Sequence, residues 1–87
     1  MTGNPTPKIS VVIPVYNEMA TIEEILLRVQ DVDLDKEIVI VDDGSKDGTR
    51  DFLKAIAESA EISPARMKLP RSGKVLATGN IRVLFQD

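Results

Sequence analysis

Glu37-Ile38-Val39-Ile40-Val41-Asp42-Asp43-Gly44-Ser45 is the stretch whose reading decides the fold. An unbroken Ile/Val run leads into two carboxylates, a glycine and a hydroxyl. Such a run reads as a strand buried on both faces, the kind found in parallel sheets of α/β domains. The acids then fall at the strand's carboxyl end, which is where open α/β sheets bind ligands. Two adjacent carboxylates are costly there unless a cation or hydrogen-bond donors meet them. Asp-Gly is also common turn chemistry, so the pair reads either as a turn opener or as a ligand-facing rim.

On the amino-terminal side, Ile9-Ser10-Val11-Val12-Ile13-Pro14 repeats the buried-strand pattern. Pro14 ends its ladder because proline has no N–H to donate. Val15-Tyr16-Asn17-Glu18 then forms a short loop on the same rim as Asp42 and Asp43, provided the two strands run parallel. Thr21 and Glu24 have the spacing of a capping box. Ile22, Ile25, Leu26 and Val29 follow as the apolar stripe of an amphipathic helix. On the carboxyl side, Gly44 to Gly48 is a tight turn, and Asp47 or Thr49 can cap a second helix. Phe52, Leu53, Ile56, Ala57 and Ala60 make one face of it, and Pro64 stops it. Residues 62–80 show no period and read as a long basic loop. Ile81-Arg82-Val83-Leu84-Phe85 is a third strand, with Arg82 marking it as an edge.

The fold class is α/β: a three-stranded parallel βαβαβ half of a doubly wound nucleotide-binding fold. Right-handed crossovers put both helices on one face of the sheet. Nothing in the sequence covers the other face, yet the strands show little polar alternation. Residues 9–87 are therefore expected to be an incomplete domain, able to self-associate through the uncovered face. Val39→Asp is expected to destroy the fold by placing an unpaired charge in the central strand.

Composition narrows the chemistry. Eighty-seven residues make one small domain. There is no cysteine and no histidine, which removes disulfides, thiolate metal sites and the usual general base. No apolar run has the roughly 20 residues needed to span a bilayer. Residues 1–8 are polar with two prolines and read as a disordered lead-in, not a secretion signal. A cytoplasmic location is expected, peripheral to a membrane in a full-length form. Residues 1–61 carry 6 basic and 13 acidic side chains, whereas residues 62–86 carry 5 basic ones and no acid. That basic segment reads as solvated, and no nucleic-acid partner is expected.

Ser10 to Glu18, followed by a helix and then Ile40 to Thr49, resembles the start of family 2 glycosyltransferases with the Rossmann-like GT-A fold. Within them it looks most like the dolichyl-phosphate mannose/glucose synthase branch. The resemblance implies a UDP- or GDP-sugar donor, an acceptor such as a polyprenyl (lipid) phosphate, and Mg²⁺ or Mn²⁺ as cofactor. It places the nucleotide pocket on Pro14, Tyr16 and Glu18 from the first rim and on Val41 and Asp43 from the second.

The chemistry of that assignment is consistent. A carboxylate only accepts hydrogen bonds. It matches the imide N–H of uracil, or the ring N–H and amino group of guanine, whereas adenine has no ring N–H on its pairing edge and cytosine presents a bare ring acceptor there. Tyr16 can pack on base or ribose through its ring. Glu18 can accept from a ribose hydroxyl or hold its own loop.

The resemblance also implies an Asp-x-Asp metal site after a fourth strand, together with a catalytic base, and both are expected beyond Asp87. Asp33-Leu34-Asp35 has that spelling but precedes the central strand and reads as a solvated turn. The 87-residue chain alone is therefore expected to bind nucleotide without catalysis and to hold no metal. The alternative is a truncated or non-catalytic nucleotide-binding module. A receiver domain would place the acid pair after the first strand. A nicotinamide-binding domain would need Gly-x-Gly-x-x-Gly where Pro14 to Glu18 stand.

Overall fold

The central strand is β2, Lys36–Asp43, and it runs parallel to both of its neighbours, β1 (Ile9–Val15) and β5 (Ile81–Gln86). The computed structural model describes residues 9–86, so the amino-terminal lead-in expected over residues 1–8 lies outside the described residues. The sheet order is β1-β2-β5, with α1 (Ile22–Asp31) and α2 (Thr49–Ala60) as the two crossovers. The expected parallel βαβαβ unit is present.

One face of the sheet packs on the helices. Val15, Ile38, Ile40 and Ile81 join Ile22, Leu26, Phe52, Leu53 and Ile56 in a single buried cluster. The opposite face is open, with Val12 61% and Leu84 44% exposed. Right-handed crossovers from β1 to β2 and from β2 to β5 leave both helices on one side. Val39 belongs to the open face and is only half-buried, whereas Ile38 and Ile40 on either side of it are buried. The expectation that Val39→Asp destroys the fold is therefore corrected: its charge can reach water.

Residues 62–80, expected as a loop, contain an antiparallel hairpin of β3 (Arg66–Lys68) and β4 (Val75–Ala77). Its inner residues, Met67 and Leu76, pack with the core, as does Leu69 at its turn. The four hairpin cations, Arg66, Lys68, Arg71 and Lys74, stay exposed. The base of the hairpin is fixed near the helix carboxyl ends, where the Ala77 amide donates to Gln30 and the Thr78 and Ser59 hydroxyls bond. Its turn is fixed near the amino end of α1 by Glu23, whose carboxylate accepts from the Arg71 and Ser72 amides, both at 2.8 Å.

Glu23 is 5% exposed. Burial alone would raise its pKa. The Arg71 and Ser72 amides, the Ser72 hydroxyl and the Arg71 guanidinium together outweigh that and hold it below the usual 4.5. A carboxyl lowered by folding stabilises the protein above its unfolded-state pKa. That contribution disappears as pH falls through the folded value. Glu23→Gln is therefore expected to flatten the acid-unfolding curve below about pH 4.5 and to lower stability at neutral pH by about 1–3 kcal/mol. Hydrogen exchange should quicken at the Arg71 and Ser72 amides first. Parallel acid-unfolding curves for the two proteins would remove Glu23 from this role.

The expected capping box does not form. The Thr21 hydroxyl donates to the Glu18 carboxylate, and the Thr21 and Ile22 amides donate to the Glu18 carbonyl. Glu24 pairs instead with Arg28, one turn along α1. Glu18 reaches the free amides before Glu24 can, so α1 starts without a side-chain cap from Thr21.

Candidate functional site

The strand ends bring the rim residues together. Pro14 pairs with Val41 and Val15 with Asp42, so Tyr16 and Asp43 emerge side by side at the carboxyl end of the sheet. Alternation along β2 puts Val39, Val41 and Asp43 on the open face and Ile38, Ile40 and Asp42 on the helix face. Tyr16 and Asp43 line one groove of about 630 Å³ with Gly44, Ser45, Lys46 and Arg50. That is within the size range of small-molecule sites. Pro14 is exposed and Val41 half-buried on the same face, where they pair two positions before Tyr16 and Asp43. Of the five expected residues, Tyr16 and Asp43 line the groove, and Pro14 and Val41 stand behind them on their strands without lining it. Glu18 does not join them, because its carboxylate is turned to Thr21 at the start of α1.

The two adjacent acids have different environments. Asp43 is exposed at the rim, whereas Asp42 is fully buried. One Asp42 oxygen accepts from the Ser45 amide at 3.3 Å and from Arg50 at 3.4 Å, and its other oxygen has no hydrogen-bond partner. The Arg50 guanidinium also lies over the Phe85 ring, 5.0 Å from its centroid. This is the cation that a buried carboxylate requires. It comes from the first turn of α2, where local sequence gives no hint of the pairing.

The loop after β2 is shaped for its turn. Gly44 and Gly48 adopt φ of +77° and +98°, a region that L side chains rarely enter. Asp47 accepts from the Thr49 amide and hydroxyl, but the cap position of α2 falls on Gly48, so neither expected residue, Asp47 nor Thr49, is its side-chain cap. The Thr49 hydroxyl, helped by the Met19 and Thr49 amides, holds the Asp47 carboxyl below its ordinary value despite the desolvation that would raise it. Asp33 and Asp35 are exposed ahead of β2, at the far end of the sheet from the groove.

Lys46, Arg50, Asn17 and Ser45 are the site-forming residues that sequence reasoning did not single out. The requirement for a cation beside the acid pair was the one signal available, and it did not say which cation.

A parallel α/β unit thus presents an acidic strand-end motif with an aromatic beside it at one rim. The comparisons specify the class. Residues 10–78 match the model of glycosyl transferase family 2, and the chain belongs to that family. It is 48% identical over 62 residues to an undecaprenyl-phosphate 4-deoxy-4-formamido-L-arabinose transferase of Pseudomonas aeruginosa, covering 67% of this chain and 18% of that protein. It is 43% identical over 76 residues to the protein of the same name from Erwinia tasmaniensis, covering 83% of this chain and 23% of that protein. The chain thus spans about a fifth of the length of these curated relatives. They are named for an undecaprenyl-phosphate acceptor, not for the dolichyl-phosphate mannose or glucose branch that the motif spelling suggested. No solved structure matches.

Proposed function

We propose that residues 9–86 are the nucleotide-recognising front of a glycosyltransferase that moves a sugar from a UDP- or GDP-sugar to a polyprenyl phosphate. The observation that carries this reading is the shared groove of Tyr16 and Asp43, at the carboxyl end of parallel strands in a family 2 chain. Asp43 accepts from the donor N–H groups of uracil or guanine, and Tyr16 packs on the base or ribose. Pro14 and Val41 pair two positions before Tyr16 and Asp43 and support the rim from within the sheet. Glu18 holds its own loop rather than the ribose. The acceptor class follows the relatives, which are named for undecaprenyl phosphate.

In the complete reaction an acceptor phosphate oxygen attacks the anomeric carbon. A new carbon–oxygen bond forms as the bond to the nucleotide diphosphate breaks. The chain's own part is to bind and orient the leaving nucleotide.

The divalent ion that the resemblance implies does not fit the residues described. Among them no three His, Cys, Asp or Glu side chains gather, Asp42 is buried against Arg50, and Asp43 stands singly at the rim. No helix among the described residues is long and apolar enough to cross a membrane.

Calorimetry with uridine and guanosine diphosphates, with and without Mn²⁺, tests the reading. Binding of one of them at roughly millimolar strength, about 4 kcal/mol, is expected with the metal absent. Affinity for adenosine diphosphate equal to that for both others would overturn the base assignment.

A further inference from the structure

We infer that Asn17 is a positioning residue of this groove, latching the Tyr16 loop to the Asp43 loop and so setting the spacing on which nucleotide affinity depends. The inference rests on the nucleotide reading above. Its physical basis is that the strand ladder stops too early to hold the rim. The β1–β2 pairing ends at Val15 and Asp42, and Pro14, just before that point, contributes no N–H. Tyr16 and Asp43 lie at the edge of that ladder and need another restraint.

The restraint is a set of hydrogen bonds crossing from one loop to the other. The Asn17 amide donates to the Ser45 hydroxyl at 2.9 Å, and the Asn17 side-chain oxygen accepts from the Lys46 amide at 2.7 Å. The next two amides donate across as well, Glu18 to the Thr49 hydroxyl and Met19 to the Asp47 carboxylate, both at 3.1 Å. Asn17 is the one residue of these three that engages the opposite loop through both backbone and side chain. It directly follows Tyr16, and Ser45 and Lys46 follow Asp43 by two and three positions. A bond between these pairs therefore fixes the separation of the two groove residues.

Residue type matters at this position. Asn17 has φ of +51°, the one positive-φ non-glycine residue among those described. Asparagine tolerates the left-handed region, as aspartate does, better than most side chains. The latch needs that backbone and an acceptor oxygen together. Glycine supplies only the first and aspartate supplies both. The arrangement also has a functional consequence. The amides of residues 17–19 are all committed to side chains of the opposite loop, so this loop does not form an anion cradle. A donor diphosphate would have to meet the side chains of the groove instead.

The test compares Asn17→Gly with Asn17→Asp in the whole chain, using nitrogen-15 NMR without ligand and calorimetry with uridine and guanosine diphosphates. Asn17→Gly is expected to speed hydrogen exchange of the Lys46 amide about tenfold or more and to lower the Tyr16 order parameter from about 0.85 toward 0.6. Its affinity for the bound diphosphate should weaken about fivefold, the equivalent of one hydrogen bond. Asn17→Asp should restore all three to within about twofold of the parent, the expectation for an acceptor-retaining change. An unchanged Tyr16 order parameter in Asn17→Gly would overturn the latch. A loosened Tyr16 with unaltered affinity would overturn its role in binding. If the parent chain bound neither diphosphate, the nucleotide reading and the binding role would both fail, and the ligand-free order parameter would still decide the latch.

Discussion

Ile40→Asp is expected to abolish cooperative folding, while Val39→Asp, one residue away on the same strand, leaves the chain folded. Ile40 is fully buried between the two helices and the centre of the sheet. Aspartate there removes an aliphatic side chain worth about 2–5 kcal/mol and buries a carboxyl with no partner, which costs several more. A domain of this size has about 4–13 kcal/mol of stability in total. The sum meets or exceeds that reserve. Val39 points to the open face, where a carboxylate reaches water, and its replacement should cost about 1–2 kcal/mol through lost β-propensity and partial burial. Far-ultraviolet circular dichroism during urea titration separates the cases. Ile40→Asp should show no sigmoidal transition, and Val39→Asp a shifted one of similar slope. Equal collapse of both variants would mean that the second face is buried in solution after all.

That contrast also shows what the sequence could and could not disclose. The Ile/Val runs at 9–13 and 38–41 marked the strands, and right-handed crossover placed both helices on one side. The bare second face followed from those two facts alone. Treating Val39 as buried on both faces contradicted that same deduction, because a two-sided core strand needs a second layer. The hairpin at 66–77 was illegible for a different reason. Strands of three residues each contribute one inward side chain, Met67 or Leu76, which is too little to show a period. What holds the turn in place is Glu23, 48 positions upstream of Arg71. The rim residues Pro14, Tyr16, Val41 and Asp43 could be placed because strand register alone aligns them. Asn17, Arg50 and the turn of Glu18 toward Thr21 depend on partners 28, 8 and 3 positions distant, respectively. Local pattern does not encode which of several polar side chains wins such a partner.

Asp43→Ala is expected to weaken binding of the recognised nucleoside diphosphate by about 10- to 100-fold, with the melting temperature nearly unchanged. The affinity loss is that of hydrogen bonds to a charged acceptor, about 1.5–3 kcal/mol. The stability change should stay within about 0.5 kcal/mol, because Asp43 is exposed at the rim. Asp42→Ala should behave in the opposite way. It strips the buried partner from Arg50 and lowers stability, since breaking a buried pair is strongly destabilising.

Asp43→Asn then identifies the base. Uracil offers a single imide N–H, which the amide oxygen of asparagine can still accept, so part of the affinity for uridine diphosphate should return relative to Asp43→Ala. Guanine offers two parallel donors, a ring N–H and an amino group. Asparagine would set its own NH₂ against one of them, so guanosine diphosphate should gain nothing over Asp43→Ala. The ratio of the two variants' affinities therefore reads out which nucleotide the groove is built for. Wild-type affinity in Asp43→Ala for both diphosphates would remove Asp43 from the pocket, leaving Tyr16 beside a carboxylate with no ligand to hold.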